Sequence, residues 1–143
     1  MKNIYEHLLE IHDCEGTGYQ PLIDYDKWRV AILRYCDELL PERIFAMQRH
    51  KETDEVFVLL EGRCILFLGE GDDTIESITG IDLEPRKIYN VKRGVWHSHT
   101  LNNDASVLIV ENRDTTAQNS PKMLLNDDHR RRIADITHEL WRA

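Results

Sequence analysis

From Trp28 onward the chain breaks into short runs rich in Val, Ile, Phe and Tyr, separated by polar clusters at 37–42, 69–73, 102–104 and 114–120. β-Branched and aromatic runs bounded by turn-forming residues read as strands. They fall near 28–36, 43–50, 55–69, 74–84, 87–91, 95–101 and 106–113. The interval 55–69 exceeds an average strand, and Gly62 marks a turn or bend within it. No helical periodicity lies between these runs, so the pattern predicts an all-β sandwich or barrel. The runs 56–60 (VFVLL) and 107–110 (VLIV) are apolar at every position, where a strand with one wet face would alternate. Both their faces need cover: a barrel interior on one side, and a terminal helix, a second sheet or a partner subunit on the other.

Helical patterns flank this core. Ile4, Leu8 and Ile11 predict a short amphipathic helix over 3–12, followed by a breaker-rich stretch at 16–21. At the other end Asn126 or Asp127 is an N-cap for a helix running to Arg142, with Ile133, Ile136, Leu140 and Trp141 as an apolar stripe for core or dimer packing. The expected organisation is an N-terminal helical extension at 1–21, a barrel at 22–114 and a C-terminal helical extension at 115–143.

The chain has 143 residues, 41% hydrophobic and 31% charged, which suits one domain with its own core. Lys plus Arg number 18 against 26 Asp plus Glu, a net charge of −8 that would repel a phosphate backbone, so nucleic acid is not an expected partner. Apolar runs are too short for a membrane helix, and the opening MKNIYEHLLE lacks the apolar stretch of a secretion signal, so a cytoplasmic location is expected. Cys14, Cys36 and Cys64 are odd in number and lack CxxC spacing, which predicts free, buried thiols.

In a strand over 44–50, Gln48 and His50 share a face; His97 and His99 share one in the strand after Gly94. Glu55 opens the most hydrophobic run, where an inward carboxylate is costly unless paired or bound to a cation. Imidazole and carboxylate together serve divalent zinc, iron, manganese or nickel. Periodicity alone does not bring His97 to His50.

The stretch 48–62, QRHKETDEVFVLLEG, together with Gly94-Val95-Trp96-His97, resembles the two motifs of the small single-domain cupins, written G-x5-H-x-H-x(3,4)-E-x6-G and G-x5-P-x-G-x2-H-x3-N. His50, Glu55, Gly62, Gly94 and His97 match. Glu42, Gln48, Arg86, Lys92 and Leu101 stand where the motifs have Gly, the first His, Gly, Pro and Asn. The likeness covers about 22–114. It implies an all-β, cupin-type jelly-roll barrel with short N-terminal and C-terminal helices. It further implies one divalent transition metal (Mn, Fe, Ni or Zn) on His50, Glu55 and His97, with Gln48 as a fourth ligand or an orienting residue. A carboxamide binds zinc or iron less well than imidazole, so the Gln48 departure favours harder ions such as manganese.

His99 is a candidate general base, and Tyr89, Glu111 and Arg113 are candidates to line a barrel mouth and bind a small polar ligand, a small acid or a sugar derivative. Trp96 reads as packing opposite His97, and His7, His12, His129 and His138 as solvated. The apolar strand runs predict a homodimer. Two further readings share the pocket: a metal-free binding module for a sugar or small acid, and a metal-independent sugar-nucleotide isomerase or epimerase with His97 or His99 as base. The second would need a pyrophosphate clamp, for which Arg49, Arg63 and Arg113 are scattered candidates.

Overall fold

The computed structural model describes residues 7–142. Ten strands form two antiparallel sheets: β1 (Gly18–Tyr25), β2 (Trp28–Arg34), β3 (Ala46–Gln48), β4 (Glu55–Glu61), β5 (Cys64–Glu70), β6 (Ser77–Asp82), β7 (Tyr89–Val91), β8 (Trp96–Leu101), β9 (Ser106–Asn112) and β10 (Lys122–Leu124). One sheet runs β1-β2-β9-β4-β7 and the other β10-β3-β8-β5-β6. Apart from the hairpins β1-β2 and β5-β6, consecutive strands alternate between the sheets, the pattern of a jelly roll. Helix α1 (Asp127–Trp141) follows β10.

The interval 55–69 divides as its length requires. Gly62 adopts φ +71°, and a Cβ there would lie 2.5 Å from the Ala105 Cα, so glycine serves both the turn and the close approach.

Inward positions of both sheets form one core. Leu33, Leu59, Leu66, Leu101 and Val107 pack its lower half, with Phe57 and Ile109 above them. Outward residues of the second sheet, Ile65, Phe67 and Trp96, form another core with Ile133 and Ile136 of α1. Gly80 lets the helix approach, because a Cβ there would stand 2.2 Å from Ile136 Cγ2. The apolar stripe on α1 therefore packs within its own chain, while Leu140 at its margin is exposed. Asn126 caps α1 by accepting the His129 N–H at 2.8 Å. The His129 ring accepts the Asn126 N–H and donates to the Ile75 carbonyl at 2.7 Å. His129 is thus a capping and anchoring residue, not a solvated one.

Several expectations are corrected at the chain ends. Residues 7–12 form a turn and coil without helix, and the rest of the expected helix over 3–12 lies outside the described residues. The breaker-rich stretch instead enters β1, where Pro21 is tolerated because β1 is an edge strand whose register shifts between Pro21 and Ile23. Both sheets draw on residues outside 22–114, since β1 begins at Gly18 and β10 spans Lys122–Leu124. Cys64 is buried, but Cys14 and Cys36 are partly exposed; all three thiols are free.

The apolar runs 56–60 and 107–110 line the barrel with one face, yet α1 covers the other sheet. Their outward residues Val56, Val58, Leu108 and Val110 are half-buried, and Leu60 is 47% exposed. Among the described residues no helix is long and apolar enough to cross a membrane.

Candidate metal centre

Three strand ends and one loop meet at the upper end of the barrel. Gln48 ends β3 and pairs with His97 of β8. His50 lies just beyond β3, where the N–H groups on either side of it, Arg49 and Lys51, donate to Pro121 and Asn119 at 3.2 and 2.9 Å. Its own carbonyl accepts the Gly94 N–H at 2.7 Å. Gly94 takes φ +83°, the left-handed conformation that aims this N–H, and so ties the turn before β8 to His50. Asp54, exposed, accepts Arg93 N–H and Asn90 Nδ2–H at 2.8 and 3.0 Å, which fixes the start of β4 against the same turn. Those donors hold its carboxyl below the usual carboxylate range.

Alternation then does the rest. Trp96 faces outward, buried under α1 with the Arg49 guanidinium 4.5 Å from its ring centroid, so His97 and His99 face inward. Glu55, at the first position of β4, faces inward with Phe57. His50, Glu55 and His97 are each 6 to 7% exposed. His50 Nε2 and His97 Nε2 lie 3.1 and 2.9 Å from the same atom, Glu55 Oε1. One nitrogen or oxygen from each of the three residues falls within 4.8 Å of the others.

Hydrogen-bond directions determine what can stand between them. Asn119 Nδ2 donates to Glu52 and to the Asp114 carbonyl, which turns its oxygen toward the Thr116 N–H and the Ser120 hydroxyl. Ser120 spends its single proton on Asn119 at 3.0 Å, so its oxygen accepts from His50 Nδ1–H at 2.7 Å. His97 Nδ1–H donates to the Val95 carbonyl at 3.0 Å, since a carbonyl can only accept. Each neutral ring is left with its Nε2 lone pair aimed at the Glu55 oxygen. Three acceptors converge, and a cation is what such a set is built to hold.

A second carboxylate sharpens this. The register that pairs Phe57 with Ile109 and Val56 with Val110 runs on to set Glu55 beside Glu111, and like charges on adjacent strands repel. Glu111 Oε2 accepts the Tyr19 hydroxyl, while its Oε1 is buried, without a hydrogen-bond partner among the described residues, and 3.9 Å from His50 Nε2. The donor set of His50, Glu55 and His97 fits a divalent metal.

Charge effects follow the packing. Burial opposes ionisation of Glu55, but when the facing Nε2 atoms carry protons the bonds from His50 and His97 prevail and bring its pKa down to about 2. Burial also opposes the charged form of His50, yet the bond to Glu55 and the charges of Glu55 and Glu111 raise its pKa. Burial, then repulsion by Glu55, raises Glu111. Burial pulls His99 down to about 4, so this ring is neutral at pH 7. Its Nδ1 is buried without a hydrogen-bond partner among the described residues.

The cluster opens into a cavity of about 650 Å³ also lined by Gln48, His99, Glu111, Tyr19, Arg29 and Ser120. Gln48 donates from Nε2 to the Ser120 carbonyl at 3.0 Å. Two of the sequence candidates are not among the lining residues. Tyr89 packs on the barrel core and its hydroxyl accepts the Glu84 N–H, and Arg113 is exposed and paired with Asp24 at 3.7 Å. Conversely Tyr19, Asn119 and Ser120 reach the site from segments that the sequence marked only as breaker-rich or turn-like, and Arg29 from an expected strand.

Arranged this way, the chain is a two-sheet jelly-roll barrel with a buried His–Glu–His cluster at one end. Its fold is the jelly-roll barrel that the resemblance of the two sequence motifs implied, and it is shared with solved structures. Hydroquinone 1,2-dioxygenase from Sphingomonas sp. TTNP3, solved with 4-hydroxybenzoate bound, superposes with a TM-score of 0.54 at 9% identity over 66% of this chain and 65% of that one. Pac13, a nucleoside dehydratase from Streptomyces, gives 0.53 at 7% identity over 73% and 76%. A cupin-2 domain protein from Shewanella frigidimarina gives 0.47 at 19% identity over 76% and 89%. No family model and no curated protein sequence matches this chain.

Proposed function

We propose that the barrel binds one divalent metal, Mn, Fe, Ni or Zn, through His50, Glu55 and His97, and beside it a small polar ligand in the 650 Å³ cavity. The observation that carries this reading is the convergence of two Nε2 lone pairs on a carboxylate oxygen, with both Nδ1 protons already committed to Ser120 and Val95. Protons could fill the gap instead, but two imidazolium rings with centroids 5.1 Å apart would repel each other. Once bound, the ion would supply Lewis-acid polarisation of a ligand oxygen or, if iron, redox chemistry. Ser120 and Val95 hold the tautomers, Gln48 lies next to the ligands, and Phe57 forms an apolar floor, its ring centroid 6.2 Å from His97 and 5.9 Å from His99. His99, neutral and without a partner at Nδ1, would hydrogen-bond the ligand.

Elemental analysis of the protein purified without chelator tests the proposal. One equivalent of metal in the wild type, lost in His50→Ala and His97→Ala with the fold retained, is expected. Full occupancy in both variants, or none in the wild type after reconstitution, overturns it and favours a metal-free binding module. A cytoplasmic homodimer completes the reading. Free thiols at Cys14 and Cys36 suit a reducing compartment, and the half-buried outward residues Val56, Val58, Leu108 and Val110 suit a second subunit. Light scattering on the purified chain measures its mass directly.

A further inference from the structure

Glu111 carries an oxygen without a hydrogen-bond partner among the described residues. Its Oε2 is held by the Tyr19 hydroxyl, which fixes the carboxylate, while Oε1 is buried, without a partner, and 3.9 Å from the metal-facing nitrogen of His50. A buried acceptor without a donor is costly, so a ligand that brings a donor to this point recovers that cost. A ligand that brings a carbonyl or a second carboxylate sets acceptor against acceptor, beside a Glu55 that is already negative. At the rim, Arg43 and Lys122 line the same cavity, are exposed, and form no ion pair among the described residues, against one lining carboxylate there, Glu38. That rim leaves positive charge open to an acid group.

Resting on the metal reading above, we infer that the ligand is an α-hydroxy acid whose hydroxyl donates to Glu111 Oε1, with Tyr19 as the positioning residue that holds Glu111 in place. The hydroxyl and not the acid group carries the selectivity. An α-keto acid of the same size has lost the donor and gained an acceptor at the same carbon. The site distinguishes the two by a hydrogen bond that only the hydroxyl can donate to the buried Glu111 oxygen, which corresponds to about tenfold in affinity.

Lactate and pyruvate form the test pair, titrated calorimetrically into the manganese-reconstituted full-length chain with metal content measured in parallel. Wild type is expected to bind lactate about tenfold more tightly than pyruvate. Glu111→Leu is expected to reduce the ratio to about twofold or less at unchanged manganese stoichiometry, and Tyr19→Phe to narrow it. Binding of neither acid, an absent preference in wild type, or a preference that survives in Glu111→Leu or Tyr19→Phe overturns the inference. Loss of manganese in Glu111→Leu also overturns it, because Glu111 would then be a metal ligand. If wild type takes up no manganese, nickel, iron or zinc, the metal reading itself falls and takes this inference with it, whereas a metal-loaded wild type without lactate preference removes the inference alone.

Discussion

The two halves of the barrel interior are built from the same strands on the same inward face, yet they share almost no chemistry. Below Phe57 the inward positions are Leu33, Leu59, Leu66, Leu101 and Val107, none more than 3% exposed. Above it they are Arg29, Glu55, His97 and Glu111, joined by His50 from beyond β3. Two residues along a strand separate a carboxylate from an aromatic floor. The lower half lowers the free energy of the fold by removing apolar area from water, about 25 cal/mol per Å². The upper half leaves like charges and unpaired acceptors facing one another, a tension that a ligand or ion relieves. Stability and binding are therefore separable here by depth, and perturbing one half should leave the other nearly intact.

Leu59→Ala in the lower half carries the largest expected effect, a destabilisation of about 2–5 kcal/mol, read as a fall in the denaturant midpoint, with metal stoichiometry unchanged. Loss of metal along with stability would show that the two halves act as one unit. Ser120→Ala is the next in size and works in the opposite sense. It removes the acceptor of His50 Nδ1–H, and metal affinity should drop about 10–100-fold while the melting temperature of the metal-free protein changes little. Equal metal affinity in this variant would remove the tautomer argument.

The smallest effect is on pH dependence. The Glu55 pKa is lowered in the folded state, so its contribution is present above its unfolded value of 4.5 and disappears as pH falls toward about 2. His50 is raised above 6.5, so its contribution is complete below 6.5 and is lost as pH climbs through the raised value; the raised Glu111 acts in the same direction. His99, lowered to about 4, adds a contribution that is complete above 6.5 and is lost as pH falls toward 4, so metal-free protein should be most stable near pH 6.5. Metal-loaded protein should gain stability over metal-free protein as pH rises, because metal and protons compete for the same atoms. Parallel dependences for the two forms would place the metal elsewhere.

Periodicity made much of the barrel legible. The strand runs, the turn at Gly62, the helix cap at Asn126 and the shared face of His97 and His99 all follow from alternation and turn chemistry, and the resemblance of 48–62 and 94–97 to two known motifs implied the jelly-roll architecture. Hidden from it was everything that depends on which segment returns to which edge. β1 was concealed by Pro21, which an edge strand accepts at a register shift. Ser120 and Asn119 sat in a run that reads as a turn because Asn and Ser favour turns, although here their side chains fix an imidazole. Tyr89 and Arg113 looked plausible because parity fixes a face only once the register is known; the register sends Arg113 past the end of β9 to Asp24 and buries Tyr89 against the core.

The tether between His50 and Ser120 joins positions 70 residues apart, and the bond between Tyr19 and Glu111 spans 92. Pairings this distant form late, after the loop-closure entropy of the intervening chain has been overcome. A nascent or half-folded chain thus exposes His50 and Glu55 without the Ser120 and Tyr19 contacts that orient the cluster. In a zinc finger the ion directs folding; under the proposed metal binding the order of events would run the other way, and uptake of the ion would serve as a checkpoint that the last segment has docked.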